Sequence, residues 1–189
     1  MRRANRAARA TVNGMNTTVS RPALVLATVF TGLGLASGVA WYLTHRGDPL
    51  ERQVPGTEAW IPHLVITAVV VVWWVIAAHR SPLGAKVVFS PLLRPITTRI
   101  GATFRTSRNP LRWAAVAFLV FLELYMCWRI GEQVFAGLDP NFTRNAWGGP
   151  SYLGAMYCHY IDGALGFSLC HAGLRAATVP SVDRQHQDA

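Results

Sequence analysis

The sequence predicts an all-α polytopic membrane protein, a bundle of four transmembrane helices with both termini cytoplasmic. Only 14% of its residues are charged, whereas a typical soluble domain has about a quarter. Four apolar segments each approach the roughly 20 residues that a helix needs to cross the hydrocarbon layer. The basic residues lie mainly on alternate connections between these segments, a pattern typical of membrane proteins with several spans.

The transmembrane domain is expected to cover residues 22–176. Each segment should be helical, because a spanning segment must satisfy every backbone amide without water. The run Val69–Val72 would favour a strand in a soluble protein, but the 18-residue apolar segment around it favours a helix. The four helices are expected at about residues 23–43, 61–78, 113–136 and 152–176.

The basic residues predict the orientation. Fourteen of them lie on or beside the amino-terminal arm (1–21), the central loop (79–112) and the carboxyl-terminal tail (177–189), and three lie on the other two connections. Cytoplasmic segments carry an excess of Lys and Arg, so the arm, loop and tail are expected in the cytoplasm. The ratio of 17 Arg to a single Lys suggests a GC-rich bacterium and hence its inner, cytoplasmic membrane.

The amino-terminal region has a second interpretation. Its arginines, its apolar run and the small residues at 38–40 would also suit a cleaved signal peptide. However, the apolar run is longer than a usual signal core, and Gly34-x-x-x-Gly38 is a spacing that packs helices closely. We therefore expect a retained first helix, with translation starting at Met1 or at Met15.

Two connections leave alternatives open. Residues 85–104 mix apolar and basic side chains, so they would either lie on the inner membrane surface against anionic headgroups or form a solvated basic loop. The connection 137–152 is rich in turn-forming residues. There, Trp147 and Tyr152 would either fold over the outer mouth of the bundle or mark a tight interfacial turn.

Ionisable residues inside the predicted spans define a candidate site. His159 and Asp162 share one face of the fourth helix. Glu123 lies near the middle of the third helix, and Arg129 lies at the depth of His159. A charge at mid-bilayer costs about 3 kcal/mol on insertion scales, so such residues indicate function by default. We expect Glu123, His159 and Asp162 to do acid–base work, with Asp162 orienting His159 and Arg129 holding an anionic or carbonyl oxygen.

Structural roles are the alternative. Asp162 and His159 would then form a hydrogen-bonded pair between helices, and Arg129 would pair locally with Glu132. Small residues let a neighbouring helix approach closely, and they would also leave room for a ligand or water. The small residues on the face of Asp162 are Ala155, Gly166, Cys170 and Gly173.

We expect no cofactor and no metal. The cysteines, Cys127, Cys158 and Cys170, lie in apolar segments without a C-x-x-C pair. The two histidines in and beside the second helix fall on different faces, and so do the two of the fourth helix. His63 with His159 is therefore the one pair that would suit haem or a metal. No nucleic-acid-binding motif accompanies the arginines, so nucleic acid is not expected as a partner.

These observations support two functional hypotheses. The first is acid–base chemistry on a lipophilic small molecule that enters from the lipid bilayer. The second is a small helical subunit or partner of a larger membrane complex or transporter, with the ionisable residues pairing across the interface or lining a proton path. A passive structural or immunity-type protein is a third class that no motif excludes.

Overall fold

The computed structural model describes residues 18–180. Residues 1–17 of the predicted arm, with Met1 and Met15, and residues 181–189 of the predicted tail lie outside this range. Within it the chain is all-helical, with seven helices and no strand. The helices are α1 (Arg21–His45), α2 (Trp60–Arg80), a 3-10 helix (Gly84–Leu92), α3 (Arg94–Thr106), α4 (Pro110–Ala136), α5 (Pro140–Thr143) and α6 (Tyr152–Ala177).

Three of the helices, α1, α2 and α4, are long and apolar enough to cross a membrane, by their length and composition. The fourth long helix, α6, has 26 residues but is less apolar. Large apolar side chains are exposed along α2, among them Ile61, Leu64 and Val72. A helix of a soluble protein would bury such a face. The structure thus confirms the all-helical prediction and suggests a membrane protein.

The four long helices pack as a row in the order α1, α4, α6, α2. The end helices of the row, α1 and α2, share at most marginal contact, and so do α2 and α4. The predicted bundle is therefore open on one side. The helices also share two ends along their axes. The end called here the basic end comprises residues 18–21, 80–112 and 175–180. The connections 46–59 and 137–151 form the opposite end, called here the loop end.

Glycines allow α1 and α4 to pack backbone against backbone. Gly34 and Gly38 are buried in α1, and Gly131 is buried in α4. A methyl group at Gly34 would lie 2.9 Å from the Glu132 backbone nitrogen, and one at Gly38 would lie 2.9 Å from the Glu132 carbonyl carbon. Only glycine permits this approach. The spacing Gly34-x-x-x-Gly38 therefore docks α1 onto its own chain.

The small-residue face of α6 packs against α4. Gly166 faces Met126, and Gly173 faces Leu119, whose Cδ1 would lie 3.2 Å from an added methyl group. Large side chains of α4 thus occupy the space that small residues leave on α6. This part of the face supplies close helix packing, the first of the two roles expected for it.

Aromatic and hydroxyl groups join α6 to α2. The hydroxyls of Tyr157 and Thr67 lie 2.5 Å apart, and the Trp74 indole nitrogen donates to Ser168 at 3.1 Å. Trp60 stacks on Tyr157 with ring centroids 5.9 Å apart. Each of these polar groups finds its partner on the neighbouring helix, so α2 and α6 have a defined rotation relative to each other.

The central connection is mostly helical, over Gly84–Leu92 and Arg94–Thr106. Ile96 of α3 packs with Val116 of α4 and Leu174 of α6 in a small buried core. The helix α4 begins at Pro110, slightly before the predicted residue 113, because the Asn109 side chain accepts hydrogen bonds from the first backbone amides of the helix.

Arg99 fastens α3 to the end of α6. Its guanidinium donates to the carbonyls of Arg175, Thr178 and Val179 over 2.8–3.4 Å. The Val179 amide in turn donates to the Thr103 hydroxyl at 3.0 Å. The last carbonyls of a helix have no partner within it, so Arg99 supplies hydrogen bonds that α6 needs at its carboxyl end.

The two connections at the loop end are clamped together. The Asn141 side chain accepts from the Glu51 amide at 2.9 Å and donates to the Pro49 carbonyl at 3.0 Å. The Asn145 side chain accepts from the Val54 amide at 2.8 Å. Side-chain amides can bond backbone donors and acceptors at once, so these two asparagines turn both connections into one cap over the helix ends.

Candidate functional site

A histidine and an aspartate from different helices meet in the half of the structure nearer the loop end. His63 lies one turn inside α2 and is 2% exposed. Its Nε2 lies 3.3 Å from Oδ2 of Asp162 on α6, and its Nδ1 lies 2.6 Å from the Ala59 carbonyl oxygen. The ring of Trp147 lies 5.4 Å from the His63 ring. The Asp162 side chain is 33% exposed, so it is the accessible member of the pair.

The hydrogen bonds of His63 require the pair to share one proton. A carbonyl oxygen only accepts, so Nδ1 carries a hydrogen and donates to Ala59. Nε2 then faces a carboxyl oxygen of Asp162, and the two atoms bond only if a hydrogen lies between them. The pair is therefore either imidazolium with carboxylate or imidazole with carboxylic acid. In both forms it is neutral overall, and one proton lies between Nε2 and Oδ2.

A cleft of about 220 Å³ lies beside Asp162, between α4 and α6. Its shape brings polar side chains of two helices to one apolar recess, which is the usual composition of a small-molecule site. The polar lining residues are Arg129, Gln133, His159 and Asp162, and the other lining residues are Tyr125, Met126, Ile130 and Gly163.

A second cleft of about 410 Å³ adjoins the first toward the loop end. Arg129 and His159 line both clefts, and Phe142 and Trp147 bound the second one. The two clefts lie on either side of Arg129 and His159, and together they are called here the α4–α6 groove.

Arg129 is held in place by neighbours on both sides. Its guanidinium forms an ion pair with Glu132, the local pair that their spacing predicts. It also lies 5.8 Å from the ring centroid of Phe142, within the range of a cation–π contact. Since 31% of the Arg129 side chain remains exposed, the guanidinium can still meet a ligand in the groove.

The predicted pairing of Asp162 with His159 is not what the structure shows. His159 lies within electrostatic range of Arg129, Asp162 and His63. Within residues 18–180, however, the carboxyl group of Asp162 bonds His63 alone. The physical reason is that α2 packs directly on α6 and points the buried His63 at the carboxyl group.

Glu123 lies apart from the groove, contrary to its expected grouping with His159 and Asp162. It lines neither cleft, and it acts electrostatically on Cys170, about two helical turns nearer the basic end than Asp162. One of its carboxyl oxygens is buried and has no hydrogen-bond partner in the described part of the chain.

Sequence reasoning missed the partnership of His63, which it considered only as a metal or haem ligand with His159. Periodicity within one helix does not show which helices are neighbours, so no signal in the sequence paired His63 with Asp162.

The alternative that Trp147 folds over the helix ends matches its contact with His63. The Tyr152 hydroxyl instead donates to a carbonyl of α4, that of Val134, at 3.2 Å.

In the described residues, no set of three or more His, Cys, Asp or Glu side chains is arranged to hold a metal ion.

Comparisons with models of known protein families, with curated proteins and with solved structures found no match. Fold and site together define the class, an all-helical protein with three candidate membrane spans and a buried histidine–aspartate pair beside a groove.

Proposed function

We propose that the chain is an integral protein of the cytoplasmic membrane that spans it four times, with the basic end in the cytoplasm. Its support is that α6 lies between α4 and α2 and is about as long as they are. If its neighbours span the membrane, α6 spans it with them. Seven Lys and Arg residues lie in residues 80–112, whereas the connections of the loop end contain only three, and cytoplasmic segments carry an excess of Lys and Arg.

Its function is acid–base chemistry on a lipophilic small molecule. The single observation that carries this proposal is the His63–Asp162 pair, whose carboxyl group is accessible from a groove lined by polar and apolar side chains. General acid–base catalysis needs a positioned group within hydrogen-bond reach of the substrate. A substrate dissolved in lipid would enter between α4 and α6 without crossing water.

Asp162 is the residue that meets the substrate. Its Oδ2 is engaged by His63, and Oδ1 has no hydrogen bond in the described part of the chain. Oδ1 therefore takes up a proton from the substrate and later returns it, while the hydrogen between Nε2 of His63 and Oδ2 stays in place. The pair then carries one positive charge, and the substrate carries the matching negative charge. Arg129 and His159 hold an anionic or carbonyl oxygen of the same molecule on the side nearer the loop end.

The experiment compares Asp162→Asn with Asp48→Asn, an exposed carboxylate on the loop-end connection. Each purified full-length variant is placed in lipid nanodiscs and incubated with a hydrophobic-metabolite extract of bacterial membranes. Mass spectrometry then profiles the compounds consumed and formed. We expect the unaltered protein and Asp48→Asn to change the same compounds, and Asp162→Asn to leave them unchanged, because an amide cannot transfer the proton.

Two results would contradict the proposal. The Asp162→Asn variant could convert the same compounds at the same rate as the unaltered protein. This result would show that the His63–Asp162 pair takes no part in the reaction. The unaltered protein could also change no compound at all, which would favour a role without catalysis.

The second candidate, a subunit or partner of a larger membrane complex, is favoured by one observation. The helix row is open between α2 and α4, so a partner helix could close the groove and pair with its ionisable groups. The glycines of α1 do not provide the docking surface, because α4 already covers them. Extraction in mild detergent tests this: a complex well above the 20.7 kDa of one chain supports it, and a lone chain argues against it.

A further inference from the structure

The basic end carries a large uncompensated positive charge. Nine Lys and Arg side chains lie there, and no Asp or Glu occurs in residues 59–122 or 163–180. None of the nine forms an ion pair within the described residues. Such a surface attracts anions, and at a membrane the abundant anions are lipid phosphates. The nine are Arg21, Arg80, Lys86, Arg94, Arg99, Arg105, Arg108, Arg112 and Arg175.

One place at the basic end is concave. A cleft of about 250 Å³ lies between the end of α2, the 3-10 helix, the start of α3 and the end of α6. Two arginines, Arg99 and Arg175, line it together with His171 and the hydroxyl residues Ser81 and Ser90. All five can donate hydrogen bonds to an anion, so the cleft gathers donors that the rest of the basic end spreads over a surface.

Arg99 and Arg175 differ in how much of their donor capacity is free. The Nε and Nη2 of Arg99 are engaged by carbonyls at the end of α6, which fixes the guanidinium at the edge of the cleft. The Arg175 side chain is exposed and has no hydrogen bond within residues 18–180. Arg175 is therefore the donor that is free, and it can be changed without removing a side-chain hydrogen bond or ion pair of the described residues.

A smaller apolar cavity adjoins the cleft. It has a volume of about 150 Å³ and shares Ser90, His171 and Arg175 with the cleft. Its other walls include Trp73, Phe167 and further apolar side chains. Polar donors beside an apolar recess match a molecule with a charged head and a hydrocarbon body.

We propose that this cleft binds the phosphate group of an anionic ligand through Arg99, Arg175 and His171. Guanidinium groups bind phosphate through charge-assisted hydrogen bonds, which can be paired at Arg175. Arg99 contributes Nη1, because its other nitrogens bond carbonyls of the chain. Two sources share this chemistry: the headgroup of an anionic phospholipid, whose acyl chain would use the adjoining cavity, and free phosphate from the cytoplasm.

The experiment uses the purified full chain in detergent micelles, titrated separately with phosphatidylglycerol, phosphatidylcholine and inorganic phosphate. Tryptophan fluorescence follows thermal unfolding. We expect phosphatidylglycerol to raise the unfolding midpoint and phosphatidylcholine, which is zwitterionic, to raise it far less. Arg175→Gln should weaken phosphatidylglycerol binding by about tenfold, which is about 1.4 kcal/mol. Arg108→Gln, an exposed arginine outside the cleft, should leave binding unchanged.

The arms identify the source and can overturn the proposal. Stabilisation by inorganic phosphate that Arg175→Gln weakens would show a site for soluble phosphate, and stabilisation by phosphatidylglycerol alone would show a headgroup site. The proposal fails if Arg175→Gln and Arg108→Gln weaken binding equally, because attraction would then be diffuse. It also fails if phosphatidylglycerol and phosphatidylcholine act alike, or if neither phosphatidylglycerol nor phosphate stabilises the chain.

Discussion

The carbonyl of Ala59 determines the chemistry of the site at the scale of single residues. It accepts a hydrogen bond from Nδ1 of His63. The other ring nitrogen, Nε2, therefore has the carboxyl group of Asp162 as its hydrogen-bond partner. This arrangement separates two roles of Asp162. The side chain gives a buried nitrogen its partner, and in the proposed function its free oxygen accepts a proton from a substrate in the groove. An asparagine would keep the first role and lose the second.

The first prediction uses that separation. Asp162→Ala leaves Nε2 of His63 buried without a partner, so we expect the free energy of unfolding to fall by about 1–3 kcal/mol. Asp162→Asn should cost less than about 1 kcal/mol, because its amide can donate to Nε2. Unfolding of the purified chain in mixed micelles with increasing SDS measures both values.

Asp48→Ala is the control for these measurements, because it removes an exposed carboxylate at the loop end, and its stability should match that of the unaltered chain. Equal losses for Asp162→Ala and Asp162→Asn would contradict the proposed position of the shared proton.

At the scale of helices, the contact of α1 with α4 depends on the absence of side chains. Backbone atoms of Trp128 and Glu132 occupy the places where methyl groups of Gly34 and Gly38 would lie. Lipid offers no hydrophobic driving force between apolar helices, so close van der Waals packing of small residues is a main source of their association. This contact explains why the first helix belongs to the fold.

The second prediction compares glycines of one helix. Gly34→Ala and Gly38→Ala should each destabilise the chain by about 1–3 kcal/mol, because the two backbones must separate. Gly32→Ala is the matched control, since nothing lies within 4 Å of its added methyl group. It should be neutral or stabilise by up to about 1 kcal/mol through helix propensity. Thermal unfolding in micelles measures all three, and equal effects at Gly32 and Gly38 would contradict the close contact.

The positions of the prolines explain why α3 was not predicted from the sequence. Pro82, Pro91, Pro95 and Pro110 interrupt the central connection, which made it look irregular. Pro95 and Pro110, however, stand in the first turn of α3 and of α4, where a missing amide hydrogen costs nothing. Helix starts were therefore mistaken for breaks, and α3 was not predicted.

At the scale of the whole molecule, the third prediction tests the orientation. Arg108→Cys and Arg52→Cys place a thiol at the basic end and at the loop end, respectively, at exposed positions. A membrane-impermeant maleimide added to intact spheroplasts should label Arg52→Cys. It should label Arg108→Cys only after permeabilisation, because the proposed topology places the basic end in the cytoplasm. The unaltered chain measures background labelling of its native cysteines. The opposite labelling pattern would invert the proposed topology.

The candidate site was predicted in part. His159, Asp162 and Arg129 were expected near one another, and they line one groove, because their helices are consecutive long segments whose depths can be counted. Glu123 was placed at a suitable depth but not at a suitable rotation. His63 lies on a helix far away in the sequence, and nothing in the sequence shows that this helix packs against α6. Its contact with Asp162 could therefore not be predicted.

The sequence alone determined that the chain is helical, where its long helices lie and which of its ends is basic, because length, apolarity and charge are properties of each segment by itself. Only the tertiary structure decided the neighbours. The order α1, α4, α6, α2 and the rotation of each helix follow from contacts between helices, such as the glycines of α1 against α4. Those contacts bring His63 to Asp162 and keep Glu123 apart, since a side chain's partner depends on the surface that packs against it.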